Sequence, residues 1–357
     1  MFVNNKKADH MELSEKLRLI RKMNGLTLEQ VSTQLGGIVT KQAISKYEKG
    51  MMRPSHAILE ALLKVYNISY NSLEYQKTID VNKWHFRRPE GMSFRQEEAL
   101  KGEIKFHLGF YLSIESLLAA QIPFSNPFKG DEDCSNENME HNAQLLRDVW
   151  KLGNDSLSSV CRILELHGIK VLEMEWNESV DGLCGWANDE TPFIILRKNV
   201  TTERKRFTAL HELAHLLFPS LEKNDSRTRE RLCHRFASSV LMPLNIIEAY
   251  IGKKRQKLAM DELISLRNSY GMSIAAIVHR LKDLIVITEE YYNYIFDYYI
   301  NKNKMENGWG KYPLSDEASR YERLLQRALS EGLLTPEEIS DRTGNQLCKN
   351  IDHIEWL

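Results

Sequence analysis

Disulfide pairs, long apolar runs and an excess of charge of either sign are all missing from this sequence. The five cysteines, Cys134, Cys161, Cys184, Cys233 and Cys348, are odd in number, widely spaced and contain no Cys-x-x-Cys. That fits reduced thiols in a cytoplasm better than a disulfide framework. No run approaches the eighteen or so apolar residues of a membrane span. The nearest stretch, LIVITEEYYNYIFDYYI, is interrupted by Glu289, Glu290 and Asp297. The opening residues hold no apolar segment of a secretory signal. A formal net charge of −1 excludes a broadly basic surface, so nucleic-acid contact has to come from a local patch. What remains is an expected cytoplasmic, soluble, multidomain protein with no membrane partner. Its 357 residues, 42% hydrophobic and 27% charged, suit more than one core.

There is no internal repeat, and four parts follow one another. Residues 8–75 read as short amphipathic helices with tight turns. Residues 76–140 read as a connector with a helix from Gln96 to Ala120 and an exposed acidic loop, QIPFSNPFKGDEDCSNENMEH. Residues 141–310 mix strands through Val171–Met174 and Phe193–Leu196 with helices over 201–218 and 227–241. Residues 311–357 form a polar, helical extension. The expected fold class is multidomain, mainly α with α+β: an all-α module, a small-sheet α+β domain and a helical tail.

In the first part Leu13, Leu17 and Ile20 share one helical face, and Gly25 ends that helix. Thr27 and Gln30 form a capping-box pattern opening a helix through Val31 and Leu35. Gly36 and Gly37 make the turn, and Thr40 caps a third helix with Ala43 and Ile44 facing inward. Lys41, Gln42, Ser45, Lys46 and Lys49 are left outward. Two short helices joined by such a turn present side chains to the DNA major groove. Gln42 suits adenine, and Lys46, Lys49 and Arg53 suit phosphates. Between Glu12 and Arg53 eight Lys/Arg face four Glu, so the module is locally positive. A plain helical interaction domain with a solvated basic face is the competing reading of the spacing. The residue order in GLTLEQVS and ISKYEKGMMRPS resembles the Cro/repressor-like (XRE family) helix-turn-helix over about 60 residues. It departs by one extra residue in the turn, LGGIVTKQAIS. The resemblance implies binding to double-stranded operator DNA as a homodimer.

RFTALHELAHLLF, from Arg206 to Phe218, places His211 and His215 four apart with Glu212 after the first. Four residues apart means one helical face, so both imidazoles can meet one Zn²⁺, and Glu212 can take a proton from metal-bound water. A core helix with incidental histidines is the bland alternative. A catalytic zinc takes a third protein ligand, and Glu230 on the next helix, in RERLCHRFASSVLMP, is the candidate. His234 stands four residues further on, suited to hydrogen-bond the far nitrogen of a ligand histidine. His234 or Cys233 as ligand remains open, whereas Glu222 and Asp225 fall in an expected loop.

RFTALHELAHLLF, Glu230 and RFASSVLMP, with RDVWKLGNDSLSSVCRILELHGIKV, DGLCGW and PFIILRKN before them and LRNSYGMSIAAIVHRLKDL after, resemble the ImmA/IrrE family of zinc metallopeptidases. The family's usual Asn or Asp is replaced here by His234. The resemblance implies a reduced zincin fold in which Glu212 moves protons and the strand Phe193–Leu196 aligns a peptide by β-augmentation. It also implies a DNA-binding regulator of the toxin–antitoxin or stress-response kind, with a fused peptidase cleaving a repressor, an antitoxin or its own linker near residues 121–141. The second reading is a regulator or antitoxin that binds a cognate toxin and whose zinc is structural or sensory. Tyr270 and His279 do not rise above core residues. Glu203–Arg206, ERKR, reads as a solvated helix start. The tyrosines of EYYNYIFDYYI suit a partner surface or packing against the tail.

Overall fold

The computed structural model describes residues 13–70, 73, 79–86, 91–128, 133–176, 180–336 and 338–339. Four short helices come first: α1 (Leu13–Met23), α2 (Leu28–Gln34), α3 (Lys41–Glu48) and α4 (His56–Tyr66). Their starts are local chemistry. Thr27 and Gln30 close a reciprocal capping box, and Thr40 and Ser55 cap α3 and α4, filling N–H groups that a helix cannot pair itself. Gly36 and Gly37 turn the chain at φ of 66° and 76°, a region cheap only for glycine. Leu17, Ile20, Val31, Ile44, Leu62 and Leu63 close the module's core.

The connector holds a strand that the sequence reading missed, β1 (Val81–His85), before the long helix α5 (Phe94–Leu117). Helix α5 starts at a Ser93/Gln96 capping box. It seats α1 closely: a Cβ on Gly102 would lie 3.1 Å from the Met23 backbone nitrogen. Lys22 pairs with Glu98 at 2.5 Å alongside. The stretch 121–128 is a loop, as expected, with Gln121, Pro123 and Ser125 exposed, but its end is packed. Phe128 is buried against the Phe218 ring at 4.7 Å, and Asn126 donates to the Leu217 carbonyl at 3.0 Å. Residues 129–132 of that loop lie outside the described residues.

Strands β2 (Lys170–Met174), β3 (Gly182–Ala187) and β4 (Thr191–Arg197) join β1 in a mixed sheet of order β1-β3-β4-β2. Strand β4 pairs parallel with β2 and antiparallel with β3. Both of its edges are taken, which overturns the expectation that Phe193–Leu196 aligns a peptide by edge addition. Ile194 and Leu196 enter one core and Phe193 and Ile195 the other, so the unbroken apolar run reflects two covered faces.

On one face lie α6 (Asn136–Val149), α7 (Val160–Leu166), α8 (Thr202–Leu217) and α9 (Ser226–Leu241), followed by α10 (Leu244–Tyr250), α11 (Met260–Tyr270), α12 (Ile274–Asp283) and α13 (Glu289–Ile295). The other face receives α5 and the last described long helix, α14 (Arg320–Ser330). Tyr291 and Tyr292 pack on the main core while Tyr294, Tyr298 and Tyr299 are exposed. The four described cysteines are free thiols. Among the described residues no helix is long and apolar enough to cross a membrane.

The start of α8 corrects a second expectation. Glu203, Lys205 and Arg206 are buried, and only Arg204 of ERKR is exposed. Each buried charge has a distant partner: Glu203 with Arg267 at 2.9 Å, Lys205 with Glu173 at 2.6 Å, Arg206 with Asp316 at 2.8 Å. Asp316, on the tail, also accepts from the backbone of Val160 and Cys161 and from the Ser159 hydroxyl. The Arg206–Asp316 pair is fully excluded from solvent, so breaking it strands a charge. Asp316→Ala is expected to cost about 3–5 kcal/mol in urea unfolding, where an exposed pair would give at most about 1 kcal/mol.

Candidate metal centre and nucleic-acid face

Helix α8 carries His211, Glu212 and His215, and the short 3-10 turn Pro219–Lys223 brings the chain back so that α9 lies against it. Glu230, in the second turn of α9, sets its carboxylate between the two imidazoles. One oxygen is 3.2 Å from Nε2 of His211 and the other 3.8 Å from Nε2 of His215. One helical turn along, the Cys233 thiol lies 3.6 Å from Nε2 of His215, and one donor atom each from His211, His215 and Cys233 fall within 4.8 Å of one another.

Two donors on one tetrahedral zinc, at bonds of about 2.0–2.3 Å, stand about 3.3–3.6 Å apart. The observed spacings straddle that range, and the donor types, imidazole, carboxylate and thiol, are those zinc takes. The residues present fit the ion.

The electrostatics agree with that use. Burial pushes the Glu212 carboxyl up to about 7, against the opposing pull of His211 and the Cys184 thiol. Glu230 is held well below the usual carboxylate range, first by its hydrogen bond to His211. Burial and then His211 push the His215 imidazole down, keeping it in the neutral form a metal requires.

His234 is an exposed side chain whose ring stands 4.7 Å from that of His211, tilted 42°. It meets the ring rather than the far nitrogen: Nδ1 of His211 is buried and has no hydrogen-bond partner. Tyr270 is buried in the core with its ring beside Tyr250, and His279 bonds the Tyr292 hydroxyl at 2.9 Å.

A cavity of about 1140 Å³ opens over these groups. Part of its wall comes from residues that sequence reasoning missed. His85, at the end of β1, stacks on the His215 ring at 5.4 Å and approaches Glu222 at 3.4 Å. Trp84 and Phe86 line the same cavity. Cys184 on β3 touches Glu212. No local pattern announces them, because they lie on strands distant from α8 in sequence.

On the first module Gln42, Lys46, Lys49 and Arg53 are exposed and Ser45 half-buried. Lys41 is exposed as well, but its ammonium is already engaged by Glu29 at 2.5 Å. That surface pair is weak and leaves Lys41 on the basic face, whereas Arg21 forks onto the Glu48 carboxylate at 2.6 and 2.8 Å, tying α1 to α3, and does not add to it. Ile38, in the lengthened turn, is 84% exposed.

Comparison with known families falls on these two sites. Residues 164–282 match the M78 peptidase family, described as an IrrE N-terminal-like domain, and residues 17–73 match a helix-turn-helix family. The chain therefore fuses an XRE-type helix-turn-helix to an IrrE/ImmA-like domain, as the resemblance implied. No curated protein matches it.

Gly182 lets β3 lie against α8 beside Glu212. A Cβ there would meet the Thr208 methyl at 2.5 Å and the Glu212 side chain at 3.4 Å. Gly182→Ala is expected to cost about 1–3 kcal/mol through overpacking. Thr208→Ser, which removes the methyl, should recover most of it in urea unfolding of the double variant. No recovery would assign the limit to the Ile195 carbonyl, 3.3 Å away on β4.

Proposed function

We propose that this chain is a cytoplasmic DNA-binding regulator whose second half is a zinc endopeptidase, acting on a protein partner such as a repressor or antitoxin, or on itself. The observation that carries the reading is the Glu230 carboxylate spanning Nε2 of His211 and His215, with Glu212 buried next to them. His211, His215 and Glu230 would hold the ion. Zinc bound there supplies a Lewis acid that brings the pKa of water towards about 7 and polarises a carbonyl.

The remaining work falls to the chain. The Glu212 carboxylate receives the proton of the attacking water and delivers it to the departing amine. Burial raises this carboxyl to about 7 in the absence of an ion, and a bound cation would favour the carboxylate that accepts the proton. The apolar flanks, Leu213, Ala214, Leu216 and Leu217, are buried and keep bulk water from competing for Glu212. On the first module Gln42 reads a base edge while Lys46, Lys49 and Arg53 hold phosphates, and a homodimer would present two such faces to one operator.

Cys233 favours a second reading. With its thiol as a further donor the set closes, and closed four-ligand sites are the structural kind. The protein would then be a regulator or antitoxin with a sensory or structural ion.

Metal analysis of the purified protein separates the two. One zinc per chain is expected, retained in Cys233→Ala and in His234→Ala and lost in Glu230→Gln. Glu212→Gln should keep the metal and abolish cleavage. Zinc lost in Cys233→Ala as well as in Glu230→Gln would replace the peptidase by the sensory reading.

DNA binding is tested on operators obtained by in vitro selection. Lys46→Ala should weaken all sequences alike and reduce the salt slope by about 1. Gln42→Ala should relax preference at one base pair by about 1–3 kcal/mol. Binding unchanged by the double substitution would remove α3 as the reading helix.

A further inference from the structure

The sheet edge beside the metal cluster is occupied, and its occupant is the connector. Strand β3 touches α8 beside the cluster: Gly182 lies against Thr208 and Glu212. Its inner edge is paired with β4. Its outer edge is paired with β1, antiparallel, through Val81–Ala187, Lys83–Trp186, Trp84–Gly185 and His85–Cys184. The ladder ends there. Leu183 and Gly182 run on towards Glu212 with no strand on that side among the described residues.

We propose that the outer edge of β3 is the docking edge for an extended segment of a protein substrate, and that β1 is its resident occupant, displaced when substrate binds. The inference rests on the peptidase reading above. A peptide reaching two residues to either side of the reacting bond covers about 13 Å as a strand. Leu183 and Gly182 offer roughly half of that. The segment therefore also needs Cys184 and Gly185, which His85 and Trp84 now hold.

The cavity wall makes the same point. Trp84, His85 and Phe86 share it with His211, Glu212 and His215, and the His85 ring is stacked on a proposed ligand.

Strand β1 is a short edge strand, held at its start by reciprocal hydrogen bonds between Asp80 and Asn188. It has five residues, lies at an edge and is interrupted by a register shift between Val81 and Lys83, which shortens the ladder. Its main apolar anchors are Val81, 5% exposed, and Trp84, edge-on to Phe193 at 5.5 Å. The contact with Phe193 also gives the substrate a preference. Gly185 separates Trp84 from Phe193 in the row across the three strands, and a Cβ on it would meet the Phe193 ring at 2.7 Å. The position opposite Gly185 is thus a place for an aromatic or large apolar residue, filled at rest by Trp84. On either side of β1 in sequence lie α4 and α5, and α5 is packed on α1, so the occupant is tethered to the DNA-binding module.

The test uses the zinc-loaded full chain and two probes: acetohydroxamate, which needs only the metal, and a hydroxamate extended by a short Phe-containing peptide. Val81→Ser with Trp84→Ala removes the anchors and frees the edge. Val81→Cys with Ala187→Cys, partners across the ladder, fixes β1 when oxidised and frees it when reduced. Acetohydroxamate is expected to bind every form alike. The peptidyl probe should bind the freed variant at least about tenfold more tightly than wild type. It should bind the oxidised lock no better than acetohydroxamate, and the reduced lock as it binds wild type.

Equal peptidyl affinity in the oxidised and reduced lock would overturn the proposal and leave the metal reading standing, even if the freed variant did not fold. Acetohydroxamate binding to no form would remove the metal reading and this inference with it.

Discussion

Helix α8 is held by charges that cannot leave. Three of the four residues of its N-terminal ERKR are buried ions, and each is paired with a different part of the chain: Glu203 with Arg267 on α11, Lys205 with Glu173 on β2, Arg206 with Asp316 on the tail. Ions out of water tolerate little displacement, because a lost partner leaves an uncompensated charge. The start of α8 is thereby fixed against the sheet, the following helices and the extension at once. Fixing the start fixes where His211, Glu212 and His215 come two and three turns later. The tail, whose purpose was not readable from its composition, is part of that clamp.

What the sequence disclosed follows the range of the interactions. The capping box at Thr27/Gln30, the glycine turn at Gly36–Gly37 and the four-residue spacing of HELAH are all local, and each is present. Glu230 could be singled out because a helix returning along α8 brings its second turn back to the histidines. Long-range pairing left no such trace. The ERKR run looks solvated until Arg206 meets Asp316, and β1, only five residues long, earns its place by pairing with residues about a hundred positions on. In one case the signal was present and pointed the other way: the unbroken apolar run Phe193–Leu196 marks a strand with both faces covered, a poor candidate for a free edge.

The connector is more than a spacer. From α4 the chain enters the sheet as β1, passes the His211–His215 cluster at His85, and returns as α5 to seat against α1. Three successive elements thus run from one functional half to the other. A shift of the helix-turn-helix that loosened α1 from α5 would act on the strand between them.

Charge gives the last constraint on the cluster. Around the two imidazoles stand two carboxyls, Glu212 and Glu230, and two buried thiols, Cys184 and Cys233. The arginines at the rim are committed elsewhere, Arg204 to Asp181 and Arg229 to Glu222. Burial, joined by the nearby Glu230 charge, pushes Glu212 towards neutrality, the ordinary way a protein avoids an unpaired buried anion. A divalent cation resolves the same problem differently: it balances both carboxylates, takes two neutral imidazoles as donors and lets Glu212 ionise without cost to its neighbours. A core helix with incidental histidines would have no reason to gather two acids and two thiols around them and leave the arginines outside.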